Sequence, residues 1–335
     1  MNKTLIFFAS AALLIAAGLY NANTANHEYI PAPVQEVFQQ WKAQHGKVYA
    51  NPSEHNFRLK VFFQNFLRVK AESLTATTYT VALNQFSDLT KEEFLTKYTG
   101  VVFDKTERVP SVHPLPQGPP PASVNWVAAG KVNPIKNQGQ CGSCWAFSVI
   151  NTVETSYAIS KGTLYNLSEQ QLVDCAGPYG PQGCNGGWMN DALNYVIAKG
   201  SEQGSDYPYT AVQGTCQYNA SKVKVRITSL FTVKPLKYSD VLQAAATTSV
   251  TLAADANGFM NYKSGVFNGQ CGTQMNHAIN IVGYGVDSAS GQHYWLMRNS
   301  WGSSWGEQGY FRMIKVEQDG MGWCGMYQRP YYPIV

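Results

Sequence analysis

Gln138-Gly139-Gln140-Cys141-Gly142-Ser143-Cys144-Trp145-Ala146-Phe147-Ser148 is the stretch around which the rest of the chain is arranged. A loop bracketed by glycines runs straight into a helical pattern. Ala146, Val149, Ile150, Val153 and Tyr157 recur at three- and four-residue steps, the apolar stripe of a helix packed on a core. Cys144 therefore stands at a helix N-terminus, where unpaired N–H groups and the macrodipole favour negative charge. A thiol in that field ionises more readily, and the thiolate is the nucleophile.

Working outward, 335 residues hold a leader and one large or two medium domains, with enough chain to bury a core. Hydrophobic residues make up 44% and charged ones 14%, which excludes a disordered chain. The formal net charge of +4 comes with no dense basic stripe, so nucleic acid is not an expected partner. Met1-Asn2-Lys3 followed by the apolar run Leu5 to Ala17 has the layout of a secretory signal peptide of about residues 1–20. The run is shorter than the ~20 residues a membrane span needs, and no membrane attachment is expected. All seven cysteines lie from Cys141 onward. In an exported chain that count suggests disulfides plus one thiol left over, and six cysteines allow fifteen pairings. The cysteine-free front reads as disposable, the back as built for a harsh medium.

After the leader, residues 33–75 read as two helices. Asn51-Pro52-Ser53-Glu54 marks the break, with Ser53 a candidate N-cap. Prolines at 110, 114, 116, 119, 120 and 121 make residues 101–122 an extended, cleavable linker. From 144 to about 200 the signals are helical, with a capping box from Ser168 to Gln171 and Gly200 closing a later helix. Beyond about 222, β-type runs dominate at 223–233, 250–253, 278–286, 293–297 and 309–316, interrupted by a helix over 239–247. A helical lobe followed by a β lobe is an α+β layout with a cleft between them.

Cys141-Gly142-Ser143-Cys144-Trp145 carries the C-G-[SA]-C-[WY] signature, and the chain resembles a papain-like cysteine protease of the cathepsin L/cathepsin H type. The resemblance implies the two-lobe fold (helical left lobe, β-barrel-like right lobe) preceded by a helical propeptide. Glu54, Arg58, Phe62 and Asn65 match the first positions of the family's propeptide helix motif, with Val69 for Ile and Ser73 for the usual Asn. Ala82-Leu83-Asn84-Gln85-Phe86-Ser87-Asp88 matches the second propeptide motif. Ser123-Val124-Asn125-Trp126 resembles the mature start, with Asn125 in place of Asp. The domains expected are a propeptide over 21–119 and a peptidase over 120–335.

Acyl transfer needs a nucleophile, a base, a group orienting the base, and oxyanion donors. Of six histidines, only His277 and His293 lie in the retained part. His277 follows Cys144 by 133 residues, within the family's spacing, whereas His293 follows a turn-like Ser290-Gly291-Gln292 and reads as a surface residue. The resemblance makes His277 the base, Asn299 its orienting partner with Trp301 covering the pair, and Gln138 an oxyanion donor beside the Cys144 N–H. It implies a thiolate–imidazolium pair at rest and the disulfides Cys141–Cys184, Cys175–Cys216 and Cys271–Cys324. It places Gly186 and Gly187 along an extended substrate, and Asn276 beside them. Trp188, Met189, Ala253 and Met275 would wall the pocket for the residue two before the scissile bond. Arg329 falls at that pocket's base, where it either admits acidic groups or points to solvent.

The activity implied is endopeptidase, made as a zymogen and acting on polypeptides in a lysosome or digestive vacuole, or outside the cell. Its own propeptide would be the inhibitor, cystatin-type proteins possible further inhibitors, and the chain a monomer with no cofactor and no metal. Asn166 and Asn219 stand in N-x-S/T sequons. Two alternatives stand within the family's fold, a cathepsin H-like aminopeptidase and a non-catalytic binding relative. Cys141-x-x-Cys144 also reads as a redox motif, but no βαβ pattern surrounds it, and no second close Cys or His pair completes a zinc site.

Overall fold

The computed structural model describes residues 29–103, 115 and 118–335. The leader reading and the prolines at 110, 114 and 116 lie outside the described residues. Two units are distinguished, one ending at Tyr49 and one beginning at Ala50. The first contains α1 (Ala32–Gln44), which buries Val34, Phe38 and Trp41 and stacks Phe38 on Tyr49.

The second unit opens with α2 (Pro52–Thr75). Its N-cap is Asn51, whose Oδ1 accepts from Glu54 N at 3.0 Å, and not Ser53 as the sequence suggested. Pro52 then takes the first helical position, where a missing N–H costs nothing. Next come β1 (Tyr79–Val81) and α3 (Lys91–Tyr98), the latter started by a capping box between Thr90 and Glu93. The motif residues act as fasteners. Arg58 donates to Glu93 at 2.7 Å and to Asp88 O at 3.1 Å. Buried Asn65 donates from Nδ2 to Ser87 O and Leu89 O, at 2.9 and 3.0 Å. Ser73, where the motif has Asn, turns its hydroxyl back to Val69 O.

The remaining elements are β2 (Val124–Asn125), α4 (Cys144–Lys161), α5 (Glu169–Cys175), α6 (Met189–Lys199), β3 (Ser201–Glu202), β4 (Val223–Val225), β5 (Ser229–Thr232), α7 (Tyr238–Thr247), β6 (Val250–Ala254), β7 (Tyr262–Phe267), β8 (His277–Val286), β9 (His293–Arg298), β10 (Tyr310–Ile314) and β11 (Tyr331–Ile334). One sheet runs β1-β7-β10-β9-β8-β6-β11-β5, with β2 added to β8. All pairings within it are antiparallel except β10 with β7. The run 223–233 is two strands in different sheets, because β4 pairs with β3 in a separate ribbon. The Ser168 cap is half of the expected box. Ser168 Oγ accepts from Gln171 N, but the Gln171 side chain turns to Tyr195, Gly200 and Glu202 instead.

Two cores result. One gathers the inner faces of the sheet with α7 and aromatics such as Trp295, Trp301, Trp305 and Phe311. The other packs α4, α5 and α6 with Trp145, Trp188 and Tyr331. The lobes are not cleanly sequential, since β2 crosses early to the sheet, and Ala253, Ala278 and Tyr331 of the sheet belong to the helical core. Helix α4 is buried from Cys144 to Ser156. Its apolar stripe faces the helical core, where each fully buried Val or Ile contributes roughly 1.5–3 kcal/mol. Its polar stripe faces the sheet rather than water. Ser148 donates to Ile279 O at 2.9 Å, Asn280 donates back to Ser148 O at 2.9 Å, and Thr152 donates to Ser249 O at 2.6 Å. These bonds fix the start of α4 against the start of β8.

Candidate active site

Cys144 is the first residue of α4 and His277 the first of β8, so the stitching of those elements brings the two together. Ala278 N donates to Cys144 Sγ at 3.4 Å. His277 Nε2 lies 2.8 Å from Asn299 Oδ1, and Ser300 N donates to the same oxygen at 2.8 Å. A backbone N–H can only donate, so the atom facing both groups is the amide oxygen, and Nε2 carries the imidazole proton. Nδ1 is left as the basic nitrogen of the neutral ring. It is buried and has no hydrogen-bond partner among the described residues. Trp301 stacks on the ring at 4.5 Å and seals it from solvent.

Gln138 is held from several sides. Ser300 Oγ donates to its Oε1 at 2.7 Å, turning Nε2 toward Cys141 O at 2.9 Å and Tyr98 O at 3.3 Å. Just upstream, Lys136 bridges Glu154 of α4 and Glu169 of α5 at 3.0 and 2.6 Å. That buried ion cluster seats the loop on the helical lobe. Ser300 was not singled out in the sequence, although its place directly after Asn299 was a usable signal.

Residues 98–103 lie across the site, which shortens the linker expected over 101–122. Residues 101–103 are bonded into the site, so the linker can begin only after Phe103. Tyr98 O accepts from Trp301 Nε1 at 3.0 Å, while Phe86 and Phe94 meet the Trp301 ring edge-on. Gly100 N and Val101 N each donate to Asn276 O at 3.1 Å. Gly187 N donates to Gly100 O at 2.9 Å, and Val102 N returns a bond to Gly187 O at 3.2 Å. This bridge runs parallel. A Cβ on Gly100 would stand 2.0 Å from Gly142 O, so only glycine lets the two backbones pass. Gly186 is equally confined, at φ +116° with Val102 and Gly100 overhead.

Phe103 then packs edge-on against Trp188 at 5.0 Å, and the Arg329 guanidinium lies 5.7 Å from the Phe103 ring centre. Arg329 thus faces the cleft occupant. Met189 and Ala253 are buried in the apolar cluster that Phe103 and Met275 pack against. His293 is half-exposed and pairs with Glu317 at 2.6 Å, a surface residue as expected. The three expected disulfides are present, and Cys144 is the free thiol. Among the described residues, no group of three or more His, Cys, Asp or Glu is placed to hold a metal, and no helix is long and apolar enough to cross a membrane.

Burial under this cover pushes the Cys144 thiol up to about 12 and the His277 imidazole down to about 4. Both shifts favour the neutral pair. The ion pair expected at rest is therefore disfavoured in the covered cleft.

Residues 120–334 match the family described as "Papain family cysteine protease", and residues 38–94 match "Cathepsin propeptide inhibitor domain (I29)". The chain belongs to the papain family. This papain-family protein is 41% identical over 307 residues to Ananain of Ananas comosus, covering 90% of this chain and 88% of that one. It is 36% identical over 329 residues to Cathepsin L 2 of Paramecium tetraurelia, covering 96% and 99%. Among solved structures, "Recombinant stem bromelain precursor" superposes with a TM-score of 0.81 at 40% identity, over 90% of this chain and 99% of that one. The papain-family chain is a cysteine protease carrying its own inhibitory propeptide domain, that is, a zymogen.

Proposed function

We propose that this zymogen matures to a cysteine endopeptidase in which Cys144 is the nucleophile, His277 the proton carrier and Asn299 the group orienting it. The observation that carries the reading is the double acceptance at Asn299 Oδ1, which leaves His277 Nδ1 as the available base. In the uncovered cleft the thiol proton passes to Nδ1, giving thiolate and imidazolium. The thiolate adds to the peptide carbonyl carbon, and the carbonyl electron pair moves to oxygen. Gln138 Nε2 and the Cys144 N–H stabilise that oxyanion. The imidazolium protonates the departing amine, and the acyl-enzyme is then hydrolysed by a water that His277 deprotonates.

Endopeptidase action is supported by the path of residues 98–103, which run from Trp301 and Gln138 to Trp188 and Arg329 as one uninterrupted chain. Gly186, Gly187 and Asn276 would bind substrate backbone. Trp188, Met189, Ala253, Met275 and Arg329 would form the pocket for the residue two before the scissile bond, and Trp301 would line the opposite side. The leader spans about 1–20, the propeptide 21–119 and the mature enzyme 120–335. The protein enters the secretory pathway for a lysosome, vacuole or the exterior, as a monomer open to cystatin-type inhibitors, with exposed Asn166 and Asn219 as glycan acceptors.

Intact mass of the proform, before and after mild acid with reductant and an epoxysuccinyl inhibitor, tests this reading. Loss of roughly residues 1–120 and one adduct, absent from Cys144→Ala, is expected. A matured chain that never labels would refute it. The pocket carries its own test. An aromatic side chain against Arg329 gains about 0.5–1 kcal/mol, so Arg329→Ala should lower kcat/KM for Phe at that position by about 3-fold relative to Leu. An unchanged Phe-to-Leu ratio removes Arg329 from the pocket.

A further inference from the structure

Tyr209 belongs to none of the motifs and touches no propeptide residue in the contacts described above, yet its hydroxyl sits between the two halves of the oxyanion apparatus. It donates to Gln138 O at 2.7 Å and lies 2.7 Å from Ser143 Oγ. A carbonyl can only accept, so the phenol proton goes to Gln138 and the Ser143 hydroxyl donates to the phenol oxygen. One residue before Cys144, Ser143 is fully buried and is the N-cap of α4, but its side chain makes no capping bond there. Its hydroxyl instead makes its short contact with Tyr209, with Cys141 O farther off at 3.4 Å.

The phenol is delivered by a segment fastened to α5. Gln170 accepts from Thr210 N and donates to Val212 O, both at 2.8 Å. Asp174 accepts from Gly214 N at 2.7 Å, and Cys216 is bonded to Cys175. Phe147, one turn into α4, meets the Tyr209 ring edge-on at 4.8 Å. The hydroxyl therefore has little freedom, and burial keeps it protonated.

We propose that Tyr209 is a positioning residue for oxyanion stabilisation, tying the Gln138 backbone to Ser143 and so fixing the spacing between Gln138 Nε2 and the Cys144 N–H. The inference rests on the roles given above to Gln138 and Cys144. Ser300 holds the Gln138 side chain from the loop after β9, and Tyr209 holds its backbone from the segment fastened to α5. Loss of the phenol hydroxyl frees the loop to drift by fractions of an ångström, enough to weaken a bond aimed at a developing charge.

The test uses the matured enzyme. Tyr209→Phe keeps the ring against Phe147 and is expected to lower kcat about 10-fold with KM within 2-fold. Affinity for a peptide aldehyde, whose thiohemiacetal oxygen occupies the same hole, should fall about 10-fold as well. Alkylation of Cys144 by iodoacetamide forms no oxyanion and should stay within 2-fold. Should Tyr209→Phe fail to fold, Ser143→Ala removes the other end of the tie and should show the same split. Unchanged kcat and aldehyde affinity, or alkylation falling in step with kcat, would overturn the proposal. Gln138→Ala separates the two levels. If it leaves kcat intact, the oxyanion reading itself is wrong; if it lowers kcat while Tyr209→Phe does not, only the tie is.

Discussion

His277→Asn lowers kcat of the matured enzyme by at least ~10⁴-fold, the scale on which triad members act. Asparagine at the head of β8 can still bond to Asn299, so the strand and the Trp301 cover survive. What disappears is the basic nitrogen, His277 Nδ1, that is proposed to take the Cys144 proton. The thiol then has no acceptor, the leaving amine has no proton donor, and the acylating and deacylating steps both fail. Fluorogenic peptide turnover, normalised to folded protein by melting behaviour, measures the loss. A reduction below about 100-fold would mean that proton transfer does not run through His277.

In the intact proform, Cys144 reacts with iodoacetamide at pH 7 at least ~10³-fold more slowly than in the matured enzyme. With its thiol pushed up to about 12, only on the order of 10⁻⁵ of Cys144 is thiolate at that pH. The sign follows from burial. A thiol is neutral when protonated, so removing water raises its ionisation range, and the rate in the proform should climb about 10-fold per pH unit from 7 to 9. Maturation opens the cleft, lets His277 accept the proton, and should flatten that dependence. Quenched alkylation followed by peptide mass mapping reads both rates. Rates within 10-fold of one another at pH 7 would show that the propeptide covers the thiol without neutralising it.

Much of this site was legible because its chemistry is local in sequence or fixed by spacing. Cys144 at the mouth of a helix needs only the pattern that follows it, and His277 stands out as one of two retained histidines. The misses share a physical cause. Ser53 looked like a cap, but Pro52 fits the first helical turn, which moves the boundary back to Asn51. Strand β7 was passed over because Gly265 interrupts its pattern, and that glycine is required where Thr78 O would lie 2.4 Å from a Cβ. Residues 101–103 looked like linker since a segment lying in a cleft is extended, carrying no periodic signature. Tyr209 acts through bonds to Gln138 and Ser143, far from it along the chain, and so does the Ser300 hydroxyl on Gln138; no local pattern encodes these.

The pairing of β1 with β7, together with the backbone bonds at Gly100 and Val102, has a consequence for the cleaved protein. While the chain is continuous, the stretch from 104 to 117 joins the inhibitor to its target, and the inhibitor is present at a local concentration of order millimolar. A single cut there breaks none of those bonds, yet it turns a tethered segment into a free ligand. From then on occupancy follows mass action. Dilution of the cut protein then favours the uncovered enzyme, which it cannot do while the chain is continuous.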